Sequence, residues 1–492
     1  MRFDYAPAPE SRAVLNLQPE YGLFLDGQFV EAADGARMKT VNPATEEVLA
    51  EVAVAGSADV DRAVAAARRA YETVWSPLPG SERAKYLFRI ARIIQERARE
   101  LAVAETLDNG KPIRESRDVD LPLVGAHFFY HAGWSDKLEW AGLPGAGQRG
   151  AGGHADAGQP QPYGVVGQVI PWNFPLLMLA WKVAPALATG NTVVLKPAET
   201  TPLTALLFAD VCRQAELPPG VVNILTGAGA TGALLVSHAG VDKVAFTGST
   251  EVGRQIARAV AGTRKTATLE LGGKAANIVF EDAPLDEAIE GIVNGIFFNQ
   301  GHVCCAGSRL LVQENVAEDL VTRLKARVGQ LRVGDPMDKN TDVGAVNSAA
   351  QLARISELAQ TGQDEGAVRW SPECVLPERG YWFPPTVFTG VAPAHRIATQ
   401  EIFGPVLSVM TFRTPAEAVT KANTTPYGLS AGIWTEKGSR MLWMADQMRA
   451  GVVWANTFNR FDPASPFGGY KESGYGREGG RHGLAAYVKG AL

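Results

Sequence analysis

The chain predicts an α/β protein of at least two domains, with a parallel sheet in its first half. Three observations predict this. The chain has 492 residues, more than one hydrophobic core normally holds. From Val165 to Leu271 apolar strand-like runs alternate with helix-length runs, the pattern of strands joined by crossover helices. The residues that end those strand-like runs are Gly-rich, polar or aromatic, and open parallel sheets bind ligands beyond the carboxyl ends of their strands.

The elements follow in order. Residues 1–19 carry Pro7, Pro9 and Pro19 with little periodicity and read as an arm. Leu23–Val30 reads as a hairpin about Asp26-Gly27, and Val48–Val54 as a strand. Asp59–Tyr71, Ser81–Glu105 and Asp118–Lys137 read as helices. Tyr86, Leu87, Ile90, Ile93 and Ile94 form one apolar stripe on the second, and Pro122 must sit in the first turn of the third or kink it. Gly142–Gly158 is rich in Gly and Ala and reads as a flexible loop.

Strands are then expected at Val165–Ile170, Val193–Leu195, Val221–Leu225, Val241–Phe246 and Thr266–Leu271. Helices are expected from Thr201-Pro202, over Gly229–Ser237 and over Val252–Val260. The second half starts afresh with a strand at Asn277–Phe280 and a helix at Leu285–Asn299. Two cysteines follow, and then a strand-like run, Leu310–Gln313. Helices at Val316–Gln330, Ala349–Gln360 and Gly438–Met448 accompany strands at Trp382–Phe388, Val406–Phe412 and Gly451–Ala455. Residues 456–483 show little period.

Composition excludes several classes. The formal net charge of −5 gives no electrostatic case for nucleic acid or an anionic membrane. No run approaches eighteen apolar residues, so no membrane span is expected, and the first residues lack the apolar core of a signal peptide. Four cysteines form no disulfide framework, and a cytoplasmic protein is expected. Histidine and cysteine spacings give no metal site.

The candidate chemistry centres on Phe297–Arg309, FFNQGHVCCAGSR. A thiol at a helix–strand junction could face a substrate, but Cys304 and Cys305 also fit two small buried residues. Glu270 ends a strand and is a weak base candidate by itself. Asn173, framed by Pro171 and Pro175, fits a turn residue or a donor to a developing oxyanion. Lys196 and Glu199 fit an exposed pair, Ser249 an N-cap or a phosphate seat, and Glu401 and Phe403 loop anchors.

Together the segments PWNFP, KPAE, FTGSTEVG, LELGGK, FNQGHVCCAGSR, EIFGPV and SPFGGYKESG resemble the aldehyde dehydrogenase superfamily of the NAD(P)-dependent, non-phosphorylating type. The match runs from about Leu23 to about Tyr487. The resemblance implies a Rossmann-like NAD-binding domain (20–137 and 162–272), an α/β catalytic domain (273–460) and small oligomerisation elements (138–161 and 461–492). It implies Cys304 as nucleophile, Glu270 as general base and Asn173 as oxyanion donor. Cofactor contacts fall on Ile170, Trp172, Lys196, Glu199, Gly229, Phe246, Gly248, Ser249, Leu271, Gln351, Glu401 and Phe403, with Arg354 beside Gln351. The substrate tunnel falls on Phe174, Met178, Trp181, Val303, Phe461 and Phe467.

From these residues further expectations follow. Glu199 near the ribose 2′-hydroxyl would accept a hydrogen bond and repel a 2′-phosphate, favouring NAD over NADP. An apolar, aromatic tunnel favours medium aliphatic or aromatic aldehydes, with Asp462 and Asn459 keeping an aminoaldehyde open. His302 stands where many relatives have Gln and could tune the thiol or pack a helix end. The hairpin region near 140–160 is poor in strand formers and the last strand is short, so a homodimer is expected rather than a tetramer. A CoA-acylating enzyme and a weakly active partner subunit are the alternatives; Glu270, which hydrolysis needs, argues against the first, and Cys304, Glu270 and Asn173 together argue against the second.

Overall fold

A computed structural model describes residues 6–143 and 160–490. The expected loop at Gly142–Gly158 lies mostly outside the described residues. Two sheets organise the rest, and both are the α/β kind the sequence predicts.

The first sheet has eight strands. In spatial order they are Gly474–Tyr475, Thr266–Glu270, Lys243–Thr247, Val165–Val169, Thr192–Lys196, Val222–Ile224, Leu23–Leu25 and Gln28–Val30. The five central strands are parallel. The hairpin joins one edge antiparallel, Phe24 beside Ile224. The chain lays Val165–Val169 first, adds two strands on one side, then crosses to add two on the other. Order therefore reverses beside Val165–Val169, and a crevice opens beyond the ends of that strand and of Lys243–Thr247.

The second sheet has seven strands, in order Val368–Trp370, Thr386–Thr389, Val406–Phe412, Arg309–Gln313, Ala276–Val279, Ser430–Trp434 and Val452–Ala455. All its pairings are parallel except that of Val368–Trp370. Its central strands are buried on both faces, as parallel strands covered by helices must be.

The differences from expectation have local causes. The helix expected at Ser81–Glu105 is two, Gly80–Glu96 and Ala98–Asn109, because Arg97 leaves the helical region (φ −95°, ψ 10°). Pro122 does sit in a first turn, that of Leu121–Trp134. The strand expected from Trp382 starts at Thr386, since Pro384 and Pro385 have no N–H for a ladder. Residues 456–483 hold two short strands, and Gly474–Tyr475 pairs with Thr266–Glu270. The helix Pro175–Ala188 was not anticipated. All fourteen of its residues are buried, so it has no polar face and no amphipathic signal.

Candidate active site

Cys304 sits between the helix Leu285–Phe297 and the strand Arg309–Gln313. After the helix the chain turns through Asn299 (φ 48°), Gln300 (φ 52°) and Gly301 (φ 73°). Left-handed backbone costs a non-glycine residue about 1–2 kcal/mol, so this turn must be held. The Asn299 N–H donates to the Glu115 carboxylate at 2.9 Å, and its side-chain amide donates to the Asn173 carbonyl at 2.7 Å. The Gln300 amide donates to the Ala345 carbonyl at 2.9 Å. Gly301 packs so closely that a Cβ would overlap the Gly404 carbonyl. The thiol is thus carried on an over-determined loop.

Asn173 lies in the turn that opens the buried helix Pro175–Ala188. Its Nδ2 donates one hydrogen to the His302 carbonyl at 2.9 Å. A primary amide has two such hydrogens, so the second is left for a ligand.

Glu270 ends the strand Thr266–Glu270. The two glycines after the adjacent Leu271 are close-approach positions. A Cβ on Gly272 would overlap the Glu401 carboxylate, and one on Gly273 the Cys304 carbonyl. The Gly273 N–H donates to Glu401 at 2.9 Å. The C-terminal segment clamps this corner: the Leu271 N–H donates to the Ser473 carbonyl at 3.0 Å and the Ser473 hydroxyl to the Gly272 carbonyl at 2.7 Å.

Two cavities meet here. A polar cleft of about 380 Å³ is lined by Trp172, Gly248, Ser249, Leu271, Gln351, Arg354, Glu401 and Phe403, among others. An apolar cavity of about 40 Å³ is lined by Phe174, Met178, Trp181, Val303, Phe461 and Phe467, with Leu123, Leu177 and Phe298. Asn173, Thr247, Glu270 and Cys304 line both.

The electrostatics favour neutral groups at rest. Glu270 is 4% exposed and neither carboxyl oxygen has a partner among the described residues. Burial first, then the neighbouring Glu478, push it well above the usual carboxylate range. The Cys305 thiol beside it and burial push Cys304 well above the ordinary thiol range. Glu401 rises to about 7 through burial, opposed by the Gly273 N–H. His302 is fully buried, and burial holds it down to about 3. Its ring meets Trp172 edge-on at 4.8 Å and stacks on Phe403 at 5.9 Å.

Comparison with known proteins decides what this geometry belongs to. The model described as "Aldehyde dehydrogenase family" matches residues 29–490. The chain belongs to the aldehyde dehydrogenase family. Its members are oxidoreductases acting on aldehydes. The mitochondrial aldehyde dehydrogenase of Homo sapiens is 44% identical over 491 residues, 98% of this chain and 94% of that one. The NAD+ complex of an aldehyde dehydrogenase from Bacillus cereus superposes with a TM-score of 0.90 at 42% identity, covering 96% of this chain and 98% of that one. The P. syringae indole-3-acetaldehyde dehydrogenase in complex with NAD+ and IAA gives 0.92 at 40% identity, covering 97% of both.

Within this family member, the residues named from sequence fall into three places. The trio Cys304, Glu270 and Asn173 stands at the wall shared by the cavities, and all six expected tunnel residues line the apolar one. Seven of the expected cofactor residues line the polar cleft: Trp172, Gly248, Ser249, Leu271, Gln351, Glu401 and Phe403. Lys196, Glu199, Gly229, Ile170 and Phe246 do not line it. Lys196 pairs with Glu199 at 3.6 Å, the latter half exposed. The Ile170 N–H donates to the Lys196 carbonyl at 3.1 Å. Gly229 begins the helix Gly229–Ser237, and the Phe246 ring lies under Gly248. Ser249 caps the helix Thr250–Val260, accepting from the Val252 N–H at 3.3 Å.

Gln351 and one Arg354 N–H bond to the loop itself. The Gln351 amide donates to the Phe403 carbonyl at 2.9 Å and Arg354 to the Glu401 carbonyl at 3.3 Å. Asp462 and Asn459 do not line the apolar cavity. Asp462 accepts from the Ala464 N–H at 2.7 Å, and the Asn459 amide donates to the Asn294 carbonyl at 2.9 Å.

Sequence reasoning missed Thr247, Lys182 and Glu478. Thr247 ends a strand beside Glu270 and could have been found from its place at the switch point. Lys182 and Glu478 are both buried and ion-paired. They lie 296 residues apart, so only the fold brings them together.

Proposed function

We propose that this enzyme oxidises an aldehyde to the carboxylic acid with NAD+, through a thioester on Cys304 that water hydrolyses. One observation carries the reading: Cys304, Glu270 and Asn173 line both a polar cleft and an apolar cavity. A nucleophile at such a wall reaches one ligand from each side. The cleft also fits a dinucleotide. It lies at the switch point, opens on the N-terminus of the helix Thr250–Val260 and ends at Glu401. The NAD+-bound relatives named above support that assignment.

The chain's own groups supply the rest. Glu270 in its ionised form takes the proton of the Cys304 thiol, and Sγ attacks the aldehyde carbon. The oxygen takes the negative charge and receives the free Asn173 N–H, with the Cys304 main-chain N–H as second donor. NAD+, when bound, supplies the hydride acceptor. Glu270, once it has passed that proton on, removes one from the attacking water and returns it to the Cys304 sulfur as the acid leaves. Glu478, beside Glu270 and paired to Lys182, offers the proton a way out of the buried corner.

The cavity walls support apolar substrates. Trp181 meets Phe467 at 5.2 Å and Phe461 at 6.3 Å, an aromatic surface suited to medium aliphatic or aromatic aldehydes. Exposed Asp462, with one carboxylate oxygen on the Ala464 N–H, keeps an aminoaldehyde open. Glu199 supports NAD+ over NADP+ for the reason given by its charge. The test is NADH formation against an aldehyde panel, with and without CoA. Cys304→Ala should lose activity by on the order of 10⁴-fold or more. Acyl-CoA as product, or equal kcat/KM with NADP+, would overturn the corresponding part.

A further inference from the structure

The turn that presents Asn173 is bracketed by one fully buried lysine. Lys111 follows the helix Ala98–Asn109. It reaches three residues around Asn173 by separate routes. Its main-chain N–H donates to the Asn109 side-chain oxygen at 3.2 Å, and the amide of that side chain donates to the Trp172 carbonyl at 2.5 Å. Its ammonium lies 4.4 Å from the centre of the Phe174 ring, within cation–π range. The same ammonium donates to one oxygen of Glu105 at 3.1 Å, and the other oxygen of Glu105 accepts from the Leu176 N–H at 3.2 Å. Asp120 accepts from it as well, at 2.6 Å. Glu105 and Asp120 are also fully buried.

We propose that Lys111 is a positioning residue for the oxyanion amide, holding the turn so that the second Asn173 N–H meets the developing charge. The proposal rests on the reading of Asn173 as oxyanion donor. Lys111 lines neither cavity and acts through Asn109, Phe174 and Glu105. Without the ammonium, Glu105 is a buried carboxylate that has lost its ion-pair partner, and it takes a proton. Its bond from Leu176 then loses the charge that makes such bonds roughly twice as strong as neutral ones. The turn loosens, and a displacement of about 1 Å at a reacting group can cost about 10²-fold.

The experiment is a double-mutant cycle on the full chain. It reads the rate of NADH formation in the first turnover, at saturating NAD+ and aldehyde. Asn173→Ala should lose about 10²–10³-fold. Lys111→Met removes the ammonium but keeps the main-chain route to Trp172. It should lose about 10- to 100-fold, with the affinity for NAD+ unchanged by fluorescence titration. The double variant should lose no more than Asn173→Ala alone, because the lysine then has no amide to place. A general softening of the fold would multiply the two losses. If Lys111→Met does not fold, Glu105→Gln takes its place in the cycle, with a loss of about 3- to 10-fold. Multiplied losses, a wild-type rate in the single variant, or NAD+ affinity falling in step with the rate would each overturn the positioning role and leave Asn173 as donor. Full activity in Asn173→Ala would overturn the oxyanion reading, and the positioning role with it.

Discussion

The polar cleft and the apolar cavity meet at the same four residues yet are built by different means. The cleft is made of strand-end loops, whose main-chain groups fix its walls: the Gly273 N–H holds Glu401, and the carbonyls of Glu401 and Phe403 hold Arg354 and Gln351. The cavity is made of side chains, from the wholly buried helix, from Leu123, Phe298 and Val303, and from a C-terminal segment. Main-chain seats fix a cofactor's position tightly, whereas an apolar wall discriminates only by shape and area. The cleft is therefore expected to be exacting about its ligand and the cavity tolerant.

The shared wall should show the largest effect. Glu270→Gln keeps the shape but removes the base. Steady turnover should fall roughly 10²–10⁴-fold, and the burst of NADH should slow as well, because the same carboxylate takes the thiol proton. Pre-steady-state absorbance measures both. The pH dependence has a definite sign. Glu270 acts as base only when deprotonated, and its affinity for protons is raised, so wild-type turnover should climb with pH through and above neutrality. In Glu270→Gln that limb should flatten. A burst at the wild-type rate would show that the carboxylate is needed for hydrolysis alone.

The next effect should separate the two regions. Gly272→Ala pushes a methyl into the Glu401 carboxylate and weakens its charged hydrogen bond from Gly273, worth about 1.5–3 kcal/mol. KM for NAD+ should rise about 10- to 100-fold, with little change for the aldehyde. Trp181→Leu removes part of the aromatic wall, so KM for an aromatic aldehyde should rise about tenfold or more, with NAD+ unaffected. Steady-state kinetics with each substrate varied in turn checks both. If either variant moves both constants equally, the cleft and cavity are not independent.

How far the sequence showed this site differs between the same two regions. The strand-end loops carry local signals: glycines, polar residues and turn chemistry within a few positions of one another. LELGGK is legible because close approach demands glycine at 272 and 273, whatever the distant partner. The helix Pro175–Ala188 is illegible because burial on all sides erases the period that reveals a helix. The resemblance placed Phe174, Met178 and Trp181 in the tunnel, yet the element that carries them went unseen. Lys182 and Glu478 were invisible for another reason. Each is an ordinary charged residue until the Gly474–Tyr475 strand docks beside Thr266–Glu270 and draws the two together. The left-handed turn at Asn299 and Gln300 likewise has no cue in its own residues, being held by Glu115, Asn173 and Ala345 from elsewhere.

His302 gives the smallest expected effect, and it asks whether the wall is tuned by a nearby titrating group. It is two residues from Cys304, and from sequence it could be a switch on the thiol. In the fold its ring is fully buried between Trp172 and Phe403, and it holds no proton above about pH 3. A group that stays neutral across the working range cannot shape a pH profile there. His302→Gln should therefore leave the pH dependence of kcat/KM superimposable on wild type. Its cost should appear as a modest rise in KM for NAD+, because the ring supports the Phe403 side of the cleft. A shift of half a pH unit or more in the profile would assign His302 to the thiol after all, and would require its ring to reach solvent or a proton donor when the cleft is filled.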